Sequence, residues 1–396
     1  MQLLTLSRFK NLKGKRVLLR VDFNVPIDAK GKIDPEGEQR LRTAVPTVQH
    51  LIDGGAKVII VSHLGRPKGW EDKLSLEPAV KRFAKIIGQK ILFVDDCLED
   101  DVKVDNRLKK MKDGDIAALE NIRFYKGEDK NDSFFARRLA SLADIYVNDA
   151  FAVDHRAAAS TVGVTKFLPC AAGLLVEKEV KALSRLFDNP KRPLVVLMGG
   201  TKISTKLPTI KKMCSIADKV LLGGGINRSF IAARGLEAGL PPVSKEDAAV
   251  AKSLLGKKNI QLATDVVVTK SEDGSVGTRV VPVNGLEADD MVMDIGPESV
   301  RAFAAVLKTA KTIVWNGPVG AFEIKMFSHG SVALGRVIAA RSSGKCFGVV
   351  GGGETVACLA QTGMAEYVDH VSTGGGAMLE FLEGKVLPGI KPLLKK

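Results

Sequence analysis

The segments LVVLMGGTK (194–202), KVLLGGG (219–225), TIVWNGP (312–318), FGVVGGGET (347–355) and YVDHVSTGGGA (367–377) share one pattern. Each is an apolar run that ends in glycine. A parallel strand buried on both faces reads as a continuous apolar, β-branched run. Glycine at its carboxyl end lets the backbone turn and approach a ligand closely. One such end alone reads as a structural turn. Several side by side make a phosphate cradle, because each following helix points free N–H groups at the anion.

Outward from these segments the alternation continues. RVLLRVDF (16–23), KVIIVSHL (57–64), KILFVDD (90–96), DIAALEN (115–121) and DIYVNDAF (144–151) are further strand candidates, and another run lies near 262–268. Helical patterns such as RTAVPTVQHLIDGG (42–55) and EPAVKRFAKIIG (77–88) separate them. Strands alternating with helices predict an α/β fold with mostly parallel sheets. GLLVEKEVKALSRLFDNPKRP (173–193) reads as a helix that stops at Asn189-Pro190 and connects two domains. The first half concentrates arginines at strand ends; the second concentrates glycines there.

Composition narrows the function classes. The 396 residues are 45% hydrophobic and 26% charged, as in a globular protein of two or three domains. No apolar stretch has the length of a membrane span, and the N-terminus lacks a secretory pattern. The five cysteines (Cys97, Cys170, Cys214, Cys346, Cys358) form no C-x-x-C. This disfavours zinc and is consistent with reduced core thiols in a cytosol. The net charge of +14 suits anionic partners, but an aromatic content of 5% leaves little for base stacking. Small anions are therefore expected rather than nucleic acid.

In RVDFNVP, Arg20, Asp22 and Asn24 alternate and would share one face of a strand end. His63 and Arg66 occupy a Gly/Pro turn after a second strand, Arg123 follows a third, and His155 and Arg156 follow a fourth. EQRLRTAVP is read as opening a helix with Arg40 and Arg42. Ligands of open α/β sheets sit beyond the carboxyl ends of the strands, so these arginines converge on an anion. Singly, each is a surface ion-pair partner, and Asp22 and Asn24 are turn caps. In the second half, Lys202 and Lys206 are read as one side of a helix that begins at the glycines, suited to a polyphosphate. Glu354 could hold magnesium, or it could be an acidic first-turn residue stabilised by the helix dipole. Glu323 could accept from a ribose hydroxyl. Neither a P-loop nor a G-x-G-x-x-G fingerprint is present.

RVDFNVP, SHLGRPKG, ENIRF, VNDAF with HR, GGTKIST, GGGIN, WNGPVGAFE, GGGET and HVSTGGGAMLEFLEGK follow in one order over essentially the whole chain. The chain thereby resembles the phosphoglycerate kinases. The resemblance implies two Rossmann-like three-layer domains: residues 1–173 for 3-phosphoglycerate and 191–378 for nucleotide. A hinge helix at 174–190 would join them, and a tail at 379–396 would return to the first domain. It implies reversible in-line phosphoryl transfer between ATP and the carboxylate of 3-phosphoglycerate after domain closure, giving 1,3-bisphosphoglycerate and ADP. Mg2+ would be the cofactor, and the protein a cytoplasmic monomer without membrane or nucleic-acid partners. Asp22, Asn24, Arg40, His63, Arg66, Arg123 and Arg156 would bind the acceptor. Gly200, Lys202, Lys206, Gly224, Asn316, Glu323, Gly353, Glu354 and Thr355 would bind nucleotide, with Glu354 on the metal. Arg40, Lys206, Gly352 and Gly375 would act in catalysis.

Departures from the family pattern mark this chain. Glu354 stands where the family has Asp. Asp154 is expected to add a negative charge beside His155. Arg228 stands where a small residue borders the adenine slot, and the sequence offers no account of it. A nicotinamide-dependent oxidoreductase is disfavoured by the missing fingerprint. A binding-only relative, with Glu354 as the lesion, is disfavoured by the presence of Lys202, Lys206 and Arg40.

Overall fold

The apolar runs become strands because sheets covered by helices on both faces leave them no polar side to show. The computed structural model describes residues 1–96 and 101–395. Cys97, expected in a core, lies outside the described residues. The chain divides into two compact units, Met1–Lys181 with Val386–Lys396, and Ala182–Lys385. The division falls within the helix Leu174–Ser184. No described helix is long and apolar enough to cross a membrane.

In the first unit β1 (Arg16–Val21), β2 (Lys57–Val61), β3 (Ile91–Val94), β4 (Ile116–Leu119), β5 (Ile145–Asp149) and β6 (Cys170–Ala172) form one sheet in the order β3-β4-β2-β1-β5-β6. Every pairing is parallel. The chain leaves β1 toward β2 on one side and later places β5 on the other. The carboxyl ends of β1 and β5 therefore flank a switch point, where a ligand crevice opens. The helix Glu77–Ile87 buries Ala79, Val80 and Phe83 against the sheet, with Phe83 and Phe23 ring centroids 4.8 Å apart. The last residues of the chain return to this unit: Leu4 N–H donates to Leu393 O at 2.7 Å, and Leu3 bridges to Leu394.

The second unit contains β7 (Leu194–Met198), β8 (Lys219–Leu222), β9 (Ile260–Leu262), β10 (Asp265–Thr269), β11 (Thr278–Pro282), β12 (Met291–Ile295), β13 (Thr312–Asn316), β14 (Phe347–Gly351) and β15 (His370–Ser372). Six form a parallel sheet in the order β15-β14-β13-β7-β8-β9, with a switch point between β7 and β13. Both of these strands are buried throughout. Trp315 is fully buried, with its indole N–H donating to Gly317 O at 2.9 Å. Phe303, Leu307, Leu334 and Ile338 from two helices fill the same core.

Three strands depart from the sequence reading. β10, β11 and β12 form a separate antiparallel sheet in the order β11-β10-β12. The single run expected near 262–268 is broken between β9 and β10. Ser299 Oγ accepts from Thr264 and Asp265 N–H, and the Asp265 carboxylate caps the helix Pro297–Thr309 through Glu298 and Ser299 N–H. The fold class holds: two α/β units with mostly parallel sheets.

Candidate active site

In the first unit Arg20, Arg40, Arg123 and Arg156, four of the predicted basic residues, gather around His63, just beyond β2. Arg20, next to last in β1, is almost wholly buried. Its Nη2 lies 3.1 Å from His63 Nδ1 and its Nε donates to Ser160 Oγ at 2.9 Å. A guanidinium can only donate, so His63 Nδ1 accepts and the ring proton is on Nε2. Burial holds the imidazole pKa well below its ordinary value, and Arg20, Arg123, Arg156 and Arg40 depress it further. Asp22 lies 3.9 Å from His63 Nδ1 and 3.8 Å from Arg40 Nη1. Arg40 also donates to Asn24 O at 2.9 Å, and Asn24 Oδ1 accepts from Gly65 N–H at 2.9 Å. Arg123 donates to Gly65 O at 2.9 Å. Arg20, Arg123 and Arg156 line a cavity of about 290 Å3, while Arg40 and Asn24 line a neighbouring one of about 470 Å3. Arg66 is exposed and makes no hydrogen bond or ion pair among the described residues.

The second unit has a cavity of about 580 Å3 bordered by Gly200, Lys202, Gly224, Arg228, Glu323 and Glu354. Leu240, Val243, Met291 and Met293 give it an apolar wall. The helix Gly353–Gln361 begins without a side-chain cap, leaving first-turn N–H groups for an anion, whereas in the helix Gly225–Ala233 Ile226 and Asn227 N–H already donate to Gly200 O and Gly224 O. At the β7/β13 switch point Gly199 N–H donates to Asn316 O at 3.1 Å. Gly317 has φ +92°, and a Cβ there would overlap Gly199 O and the Lys206 ammonium. Lys206 Nζ donates to Gly199 O at 2.7 Å and to Asn316 Oδ1 at 3.0 Å. Burial lowers its pKa to about 8, against the opposing pull of Glu354. Gly352 (φ +97°) precedes the helix Gly353–Gln361, and Gly375 (φ +49°) precedes the helix Gly376–Leu382.

Glu354 lies exposed on the first helical turn and on the cavity wall. Magnesium bound with a polyphosphate characteristically takes one or two protein carboxylates and keeps phosphate and water ligands. An open carboxylate beside a phosphate-sized cradle fits that donor set. The acidic group Glu287, Asp289 and Asp290 is instead ion-paired with Lys270 and Arg279.

The structure corrects several readings. Arg40 and Arg42 end the helix Pro35–Arg42 rather than opening one, because Asp34 caps its start through Gly37 N–H. Lys202 and Lys206 precede the helix Leu207–Ile216, whose first turn carries Pro208. Asn316 spends both ends of its amide on Gly351 O and Lys206, and the Thr355 hydroxyl oxygen accepts from Gly317 N–H at 2.7 Å. Their side chains brace the cradle. Asp154 adds no exposed charge beside His155: it is fully buried, accepts from Asn148 at 2.7 Å, and has a pKa raised to about 8 by burial. Arg228 donates to the carbonyls of Ala238 and Gly239, both at 2.9 Å, and to Pro241 O. Ser160 and Glu128 join Arg20 at this site without having been expected there. Alternation with Asp22 and Asn24 marked Arg20; nothing local marks the other two.

Comparison with known proteins places the chain. The phosphoglycerate kinase family model matches residues 7–385. Phosphoglycerate kinase of Thermosynechococcus vestitus is 46% identical over 97% of this chain and 96% of its own length. A chloroplastic phosphoglycerate kinase of Volvox carteri is 46% identical over 98% and 84%. The structure of phosphoglycerate kinase from Coxiella burnetii superposes with a TM-score of 0.86 at 37% identity, covering 99% of this chain and 98% of that one. By the family model over residues 7–385 and by these relatives, the chain belongs to the phosphoglycerate kinase family.

Proposed function

We propose that the phosphoglycerate kinase reaction is divided between the two units, with 3-phosphoglycerate held by the first and ATP or ADP by the second. The observation that carries this division is the contrast between the two sites. One is a small polar cavity rimmed by Arg20, Arg123 and Arg156; the other is larger, apolar on one wall and glycine-lined on another. A base needs the apolar wall, and a phosphorylated acid needs the arginines.

In this reading Arg123 and Arg156 hold the acceptor's phosphate, with Arg66 free to join them. Asp22 and Asn24 orient its hydroxyl, and His63 contributes a neutral ring. Arg40 stands at the reacting carboxylate. Gly200, Lys202 and the uncapped start at Gly353, Glu354 and Thr355 receive the nucleotide phosphates; Glu323 and Gly224 border the nucleoside. A magnesium ion held with the nucleotide at Glu354 would neutralise phosphate charge.

The acceptor carboxylate, with an ordinary pKa near ~4, is ionised at neutral pH and needs no general base. One carboxylate oxygen forms a bond to the terminal phosphorus as that phosphorus parts from its bridging oxygen, giving the acyl phosphate and ADP. The protein's task is to neutralise repelling anions and align them in line. Arg40, Lys206 and the backbone at Gly352 and Gly375 serve the moving phosphoryl group. Transfer brings the two sites together, with Leu174–Ser184 as the hinge. Initial-rate kinetics test the division. Arg156→Ala should raise KM for 3-phosphoglycerate about tenfold with KM for ATP unchanged; Lys202→Ala should do the reverse. Equal effects on both KM values would refute it.

A further inference from the structure

The acceptor reading leaves the buried side chains behind His63 without a role. Ser160 and Glu128 are both almost wholly buried. Glu128 Oε1 accepts the Ser160 hydroxyl proton at 2.7 Å, and Oε2 accepts from Ser160 N–H at 2.9 Å. With its proton committed, Ser160 Oγ can only accept, and it accepts from Arg20 Nε at 2.9 Å. Arg20 Nη1 donates to Val21 O, which leaves Nη2 for His63 Nδ1 at 3.1 Å. The guanidinium itself sets the donor sense toward His63; Ser160 and Glu128 fix where the guanidinium sits, and so keep Nη2 within reach of Nδ1.

We propose that Ser160 and Glu128 are positioning residues of the acceptor site, holding Arg20 so that His63 is locked as its neutral Nε2–H tautomer. The role in acceptor binding rests on the reading of the first unit given above; the tautomer does not. The groups facing His63 agree with this assignment. Arg20 comes from β1, Asp22 from just beyond it, and Arg40, Arg123 and Arg156 from three other segments. Four guanidinium groups against one carboxylate oppose a second ring proton. The same two residues also join the segments that carry the acceptor arginines. Glu128 follows Arg123 in the chain, Ser160 follows Arg156, and Ala159 N–H donates to Glu128 O at 3.0 Å.

The test is ring nitrogen-15 NMR of the full-length protein between pH 5.5 and 7.5, simplified by a total of five histidines. Absence of its signals in His63→Gln assigns the ring. In the parent protein His63 should remain an Nε2–H tautomer without titrating. In Ser160→Ala it should show mixed tautomers or titrate within the window, and KM for 3-phosphoglycerate should rise about 5- to 20-fold with KM for ATP unchanged. Should Ser160→Ala not fold, Glu128→Gln, which keeps one carbonyl acceptor, should give a partial change of the same kind. A folded variant with the parent tautomer and pH behaviour overturns the proposal. A changed tautomer with unchanged KM would uphold the lock and count against the acceptor reading alone.

Discussion

The Lys206 ammonium is satisfied by Gly199 O and Asn316 Oδ1 rather than by a carboxylate. Neutral acceptors stabilise its charge less than an ion pair does, so burial dominates and lowers its pKa to about 8. At pH 7 it is still charged, and a phosphate anion would draw it off the carbonyls. Above about pH 8 the free enzyme should lose that charge, and kcat/KM for ATP should fall up to tenfold per pH unit. A flat profile to pH 9.5 would mean that Lys206 keeps its proton or has no part in nucleotide use. Arg40 makes contact with Asp22 at 3.8 Å and Asn24 O at 2.9 Å, with 34% of its side chain exposed. Arg40→Ala should lower kcat about 100- to 1000-fold while KM for ATP stays within about threefold, as for loss of a charge-stabilising donor. Unchanged turnover would remove it from the reaction. Glu354→Asp should keep or raise activity, since an exposed carboxylate one methylene shorter keeps the charge and the oxygen donors on the cavity wall; a large loss would show surroundings adapted to Glu.

At the scale of elements, Arg228 shows how one helix sets the shape of a wall it does not belong to. From the helix Gly225–Ala233 it holds three carbonyls of the 238–241 segment, and that segment supplies Leu240 and Pro241 to the second unit's cavity. Arg228→Ala should loosen the wall and raise KM for ATP about 5- to 10-fold with the acceptor's KM unchanged, measured by initial rates; no change would confine the clamp to structure. The sequence carried much of this architecture. Runs such as LVVLM and TIVWN are buried on both faces, and such strands announce themselves. TRVVP and CAA do not. β11 is mostly exposed and ends in Pro282, and β6 has only three small residues. The site was legible where residues sit at strand ends. It was not legible for Ser160 and Glu128, whose partners are 140 and 32 residues away from Ser160. Nor could spacing show that Asp154 turns inward beneath Gly389, which the returning C-terminal segment provides.

Across the whole molecule, buried carboxyls shape the response to pH. Burial raises Asp149 to about 7 and Asp154 to about 8 in the first unit, and Asp294 to about 7 in the second. Their ordinary value is 3.8, so the folded chain holds protons that the unfolded chain has released. Stability from these groups is fully present below about pH 4 and is lost as pH rises through 7 to 8. His63 acts the opposite way: its folded pKa is depressed, and its contribution is lost as pH falls below about 6.5. Between pH 6.5 and 8 the carboxyls dominate, and the urea midpoint should decline. Asp154→Asn, which keeps an acceptor for Asn148, should flatten the decline; an unaltered slope would rule Asp154 out as its source. The proposed division gives each unit half of the chemistry, arginines on one and glycines on the other. The central claim is that this division performs phosphoryl transfer to a carboxylate. The most direct measurement is formation of acyl phosphate from 3-phosphoglycerate and ATP, trapped by a coupled dehydrogenase, with and without magnesium. Rapid turnover requiring all three components is the predicted result; folded protein that binds both substrates yet forms no acyl phosphate would contradict the account.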